Sequence, residues 1–316
     1  SNMDHPNTRQ GVRQDACGGS YNCTYEQSFT GPSYQCEEVA SSIDDSERLN
    51  DLGAPFNVSI LAPQGRFVYY AEVDNGAYAR PQAAEFRPGK GGIPVGEAPV
   101  DLGVFKSEPV LWIGYAFNST EKVAKDDPLA MNWTHRYDPH IIRCTHMETR
   151  YTVKWNFTEP FFHSKIKLEH QAPIVDTSFP RGVDGKVNYT LNPEPADNYI
   201  SPRDDVGLYK NTAAYHAIGD MFRDFLRGHV DISAPSPGPY YAQVYSDVTK
   251  TRLVQKNSEP KNNLTAEIEA FYSDMVLSLL SVPEMLAVAE EKLTVNRSRL
   301  QSSFVYVPER LWQCYA

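Results

Sequence analysis

Three kinds of residue in this chain have types and spacings that could do chemistry: asparagines set in Asn-x-Ser/Thr triplets, cysteines, and scattered histidines and acids. The triplets dominate. Asn22, Asn57, Asn118, Asn132, Asn156, Asn188, Asn263 and Asn296 each stand two residues before Ser or Thr with no Pro between, the acceptor pattern for N-linked glycosylation. With 17 Asn and 39 Ser plus Thr in 316 residues, random placement gives roughly two such triplets. An excess of this size predicts a chain folded in the secretory lumen and exposed outside the cell.

Five cysteines, Cys17, Cys23, Cys36, Cys144 and Cys314, fit an oxidising compartment. Cys314 lies two residues from the end and is set aside as unpaired. Three pairings of the other four remain open; Cys36 with Cys144 and Cys17 with Cys23 is the arrangement expected first. No Cys-x-x-Cys or neighbouring His marks a reactive thiol, and the irregular spacings do not suit zinc.

Other chemistry is poorly signalled. The chain has no Gly-x-Ser-x-Gly elbow, no His-Glu-x-x-His pair and no calcium loop. Gly89-Lys90-Gly91-Gly92 lacks the spacing and hydroxyl of a phosphate loop. His140 and His146 flank Cys144, but a metal needs a third ligand that sequence does not supply. Asp126-Asp127, Asp204-Asp205 and Glu290-Glu291 sit in polar runs, as solvated acids do. Neither a catalytic residue, a cofactor nor a metal is expected.

These residues must be positioned by strands and helices. Tyr151, Val153, Trp155 and Phe157 alternate with Thr152, Lys154, Asn156 and Thr158, the period of a half-buried strand with a sugar acceptor on its wet side. Asn22, Asn57 and Asn188 likewise occupy the polar phase of alternating segments. Further strands are expected at Tyr21–Val39 (two, reversing at Thr30-Gly31-Pro32-Ser33), Pro55–Ile60, Arg66–Val73 and Ile166–Pro173, with a hairpin turn at Asp184-Gly185 leading to Val187–Leu191. Tyr240–Ser246 and Leu293–Val307 complete the set. Val110–Phe117 is apolar on both faces, as a central strand is. Asp44–Asp51 reads as a surface helix or loop, while Arg87–Pro99 and Ala234–Pro239, rich in Gly and Pro, read as loops.

The period changes near Val206. Leu208, Tyr215, Ile218, Phe222, Phe225 and Leu226 recur at helical spacing up to Gly228, and Ile268, Phe271, Tyr272, Met275, Leu279 and Val282 form a second stripe from about Leu264, ending before Pro283. The expected class is α+β: mostly antiparallel sheet with two main amphipathic helices in the C-terminal third. Residues 1–15, including a tag remnant at Ser1-Asn2, are expected to be disordered, and residues 16–316 to form a single extracellular domain.

A net charge of −10 and the lack of a basic stripe argue against nucleic acid. Hydrophobic residues at 41% and aromatics at 12% are ample for a packed core. No signal peptide and no run of 18 apolar residues is present, so export signals and membrane spans are expected to lie beyond this stretch.

Four pieces carry a resemblance. Asn22-Cys23-Thr24-Tyr25 through Gly31-Pro32-Ser33-Tyr34-Gln35-Cys36, Leu111-Trp112-Ile113-Gly114-Tyr115, the Cys144 to Phe157 segment, and Phe304-Val305-Tyr306-Val307-Pro308-Glu309-Arg310-Leu311-Trp312, in that order, resemble a large group of filamentous-fungal multi-pass membrane proteins. In that group such a domain is a long extracellular loop between membrane-spanning helices. The resemblance implies that Tyr315 and Ala316 stand just outside a flanking membrane-spanning helix, on the extracellular side of the plasma membrane. Gln313-Cys314 departs from the small or apolar residues expected there. The group has no assigned activity, so the resemblance transfers no catalytic residue.

The leading expectation is a non-enzymatic, glycosylated ectodomain that binds or senses at the cell surface, its partner being cell-wall polysaccharide, another membrane protein or a second copy. The alternative is an extracellular hydrolase acting on carbohydrate, which needs two carboxyls about 5–10 Å apart across a cleft. A third reading, a sensor, expects a concave apolar pocket near the Gly/Pro loop or between the two helices.

Overall fold

The computed structural model describes residues 21–74, 109–131, 133, 135–158, 161–174, 206–233, 241–255, 260–261, 263–279 and 294–299. It is a mostly antiparallel α+β structure. The strands are β1 (Tyr21–Ala40), β2 (Phe67–Asp74), β3 (Val110–Lys122), β4 (His135–Thr158), β5 (Phe161–Pro173), β6 (Gly228–Ser233), β7 (Tyr241–Val244) and β8 (Asn296–Arg299). A short helix α1 (Ser46–Leu52) precedes the two main helices, α2 (Val206–Leu226) and α3 (Leu264–Leu279). Strand order is β7-β6-β2-β3-β4-β1-β8, with β5 also pairing with β4.

The chain forms two compact units. Among the described residues, one lies within Thr30–Arg150 and Glu169–Val276, and the other draws on residues 21–29, 151–168 and 277–299. In the first, β3 is buried continuously from Leu111 to Ala116, as its two-sided apolar pattern requires. In the second, Tyr151, Val153, Trp155 and Phe157 are buried while Thr152, Lys154 and Asn156 are not. The alternation read from sequence is the alternation of the strand.

Several expectations are corrected. Thr30-Gly31-Pro32-Ser33 does not reverse the chain: β1 runs through it unbroken. Extended backbone accommodates the fixed φ of Pro, and β8 ladders onto β1 only from Tyr21 to Thr24. Pro55–Ile60 is not a strand either. Val58–Ile60 is a 3-10 turn, and Val58 and Leu61, three residues apart, are the buried pair. β6, not foreseen, pairs with both β2 and β7.

Helix α2 presents an unexpected side. Leu208 is exposed, and the buried line includes Thr212, Gly219, Phe222, Arg223 and Leu226, so a small residue and a guanidinium replace part of the apolar stripe. Helix α3 keeps its expected face, burying Ile268, Tyr272, Met275 and Val276. Residues 1–20, Arg87–Pro99, Asp184-Gly185 with Val187–Leu191, Ala234–Pro239, Pro283 and the 300–316 ending lie outside the described residues.

Candidate functional site

In the second unit the acceptors share a face. Ser28 Oγ lies 3.2 Å from Thr152 Oγ1, which joins the even-numbered face of β1 to that of β4. Stepping by two along each strand brings Glu26, Thr24 and Asn22, and Lys154 and Asn156, onto that face. The β1–β8 ladder sets Asn22 opposite Ser298 and Thr24 opposite Asn296. Three acceptors, Asn22, Asn156 and Asn296, thus occupy one side of β4-β1-β8, and all three are at least partly exposed. On β1 and β4 the odd-numbered side is packed: Phe29 stacks on Tyr151 at 4.9 Å, and Tyr25 on Phe157 at 6.0 Å.

The remaining acceptors are placed differently. Asn118 is partly exposed on β3, opposite Tyr137. Asn263 is exposed and caps α3, its Oδ1 accepting from Ala266 N at 3.3 Å; a sugar attaches to the amide nitrogen, so cap and glycan are compatible. Asn57 is half-buried, and its Nδ2 donates to Ser46 Oγ at 2.9 Å. A sugar there would replace that hydrogen bond. Asn132 and Asn188 lie outside the described residues.

Cys36 and Cys144 form a disulfide joining β1 to β4 across a sequence separation of 108. Cys23 is also disulfide-bonded. Cys17 and Cys314 lie outside the described residues.

The first unit contains a buried polar centre that the sequence did not disclose. Tyr34 on β1 stacks on His146 on β4 at 4.9 Å, and His146 Nε2 lies 2.7 Å from Tyr272 Oη on α3. Arg223, fully buried on α2, donates from Nη1 to Tyr34 Oη at 3.0 Å and reaches His216 Nδ1 and Asp220 Oδ1 through Nη2. Gly219 makes this possible: a Cβ there would come within 2.7 Å of the His146 ring and 2.9 Å of Arg223 Nη1. Ser33 Oγ, Thr149 Oγ1 and His170 Nδ1 form another polar cluster, with contacts of 2.5 to 3.0 Å. A hydroxyl beside an imidazole is a nucleophile–base pairing in type. Ser33 and Thr149 are both buried, however, and such a pair ties strands rather than meeting an external substrate.

His140 and His146 take different partners. His140 Nδ1 lies 3.1 Å from Glu38 Oε2, its ring stacked on Tyr115 and Phe117. Among the described residues no three His, Cys, Asp or Glu side chains are grouped to hold a metal. Burial, then the Glu38 charge, pushes the Tyr115 phenol up to about 12, and burial raises Tyr69 as well.

One further feature lies on the outer side of β2-β6-β7, where Phe67, Tyr70, His229 and Tyr245 form a row of touching rings. Its signal was only partly available: alternation sets Tyr70 opposite Tyr69, but Phe67 shares the phase of buried Tyr69 and reaches the outer side only through the irregularity in the β2–β6 register between Phe67 and Tyr69.

Among the described residues no helix is long and apolar enough to cross a membrane. Comparison with protein-family models, curated proteins and solved structures finds no match to this chain.

Proposed function

We propose that this chain is a non-enzymatic, glycosylated ectodomain of a membrane protein, working by binding or sensing at the cell surface. The observation that carries the reading is the gathering of Asn22, Asn156 and Asn296 on one wet sheet face whose reverse is packed with aromatic rings. Acceptors scattered by chance would fall on both faces, and a sugar on the dry face would prevent packing. The Cys36–Cys144 bond supports the same compartment. The resemblance to extracellular loops of fungal multi-pass membrane proteins supports the plasma membrane as the place and the fungal wall or a neighbouring membrane protein as the partner. The test is labelling of intact cells, expressing the chain with its natural flanking sequence, by an amine reagent that cannot cross membranes. Labelling of chain lysines without lysis is expected; labelling only after lysis contradicts the reading.

A further inference from the structure

We propose that the outer face of β2, β6 and β7 is a binding site for a neutral, extended polysaccharide. The proposal deepens the cell-surface reading and rests on it, because such polymers are met outside the cell.

Where a sheet is covered on one side only, period-two alternation turns polar residues to the other. Here the inner side is regular: Tyr69, Ala71 and Val73 on β2 and Val230 on β6 are buried. The outer side breaks the rule. Tyr70 pairs with His229 across β2 and β6, and the Tyr245 N–H, one residue past the end of β7, donates to the His229 carbonyl at 2.8 Å, so three rings stand in line. His229 lies 6.3 Å from Tyr70 and 4.7 Å from Tyr245, centroid to centroid. Phe67 touches Tyr70 and His229 at 5.3 and 5.0 Å, and Phe56 meets Tyr70 edge-on at 4.9 Å. Phe56 fits because Gly114, beside Tyr70 on β3, has no Cβ; one would lie 2.9 Å from its ring. Tyr245 ends the row 61% exposed, and Tyr70, Phe67, His229 and Phe56 are all partly open.

The row spans two strand spacings, roughly 10 Å, longer than a single aromatic contact needs. Each phenol carries a hydrogen-bonding neighbour: Tyr70 Oη donates to Glu72 Oε2 and Tyr245 Oη to Gln243 Oε1, both at 3.3 Å. The inner rings of the row pack against one another at 21–63° and present mainly edges and hydroxyls, while Tyr245 at its end is open; an open ring beside amide and carboxylate oxygens matches pyranose chemistry, whose C–H faces stack on aromatics while hydroxyls hydrogen-bond at the rim. Charge points to a neutral ligand. Arg66 lies over Phe67 but is already paired with Asp231 at 3.3 Å, and Glu72 would repel an anion.

The test is electrophoresis of the secreted full chain through native gels containing laminarin, hydroxyethyl cellulose or glycol chitin, with alginate as the anionic control. Retardation by at least one neutral polymer and none by alginate is expected. Tyr245→Ala should weaken it about tenfold, and Gln243→Ala severalfold; the melting temperature should fall by only a few degrees, the loss of one exposed ring contact, with the chain still fully folded at the temperature of the gel. No retardation by the three neutral polymers, retardation by alginate alone, or wild-type retardation of Tyr245→Ala overturns the proposal. External labelling with no retardation removes this site and leaves the cell-surface reading; retardation of a chain unreachable from outside does the reverse.

Discussion

Asn22 on β1 stands directly opposite Ser298 on β8, so the first position of one acceptor triplet meets the third position of another. The ladder runs antiparallel, so Thr24 meets Asn296 in return, and the two acceptors sit on a diagonal of the same face, on the order of 7–8 Å apart. A one-residue slip would turn one of the triplets into the aromatic side. Register and modification are therefore set by the same pairing.

Gly219→Ala is expected to destabilise the protein although Ala is the better helix former. Propensity favours the change by about 1 kcal/mol. The added methyl would meet the buried His146 ring at 2.7 Å and Arg223 Nη1 at 2.9 Å, and overpacking costs about 1–3 kcal/mol. Denaturant unfolding should show a net loss; a gain would mean that α2 can lift from β4 without cost.

Replacing Cys36 and Cys144 together by Ser should lower stability by about 3–5 kcal/mol. The bond closes a separation of 108 residues, and a loop near 100 residues lies at the upper end of the chain-entropy effect. Thermal unfolding of the oxidised parent and the double variant measures this; equal melting points would show that β1 and β4 are held without the bond.

Stability should fall steeply above about pH 10. Burial raises the phenols of Tyr69 and Tyr115 in the folded state, Tyr115 to about 12. Below the unfolded phenol value both states keep their protons, and these groups give no pH dependence. Above it the unfolded chain ionises first, so unfolding gains about 1.4 kcal/mol per pH unit per tyrosine until the folded value is reached. Tyr69→Phe should cost about 1 kcal/mol at neutral pH, because the hydroxyl donates to the Leu226 carbonyl at 2.9 Å, yet flatten the alkaline decline. Tyr115→Phe should flatten it as well; an unchanged decline in both Tyr69→Phe and Tyr115→Phe would contradict the assignment.

Sequence disclosed what local periodicity governs. The alternation of Tyr151 to Phe157, the two-sided burial of β3 and the inward stripe of α3 are written in neighbouring residues and survive in the fold. It misled where distant pairing overrides local signals: Gly31-Pro32 reads as a turn but lies inside β1, which is held extended by strands far away in sequence. Phe56, Val58 and Ile60 alternate by accident, and the burial of Leu61 selects a 3-10 turn instead. Arg223, Tyr34, His146 and Tyr272 come from four separate elements, so no spacing could announce them. The acceptors were legible one by one; that Asn22, Asn156 and Asn296 share a face required the register of β8.

Site-by-site glycopeptide mapping of the chain secreted from a glycosylating eukaryotic host tests the central claim most directly. The account predicts sugar on Asn22, Asn156 and Asn296 in folded, secreted protein. Secreted, folded chain with all three asparagines unmodified, or acceptance of sugar at a position engineered onto the dry face, such as Val153→Asn with Trp155→Thr, without loss of folding, would contradict it.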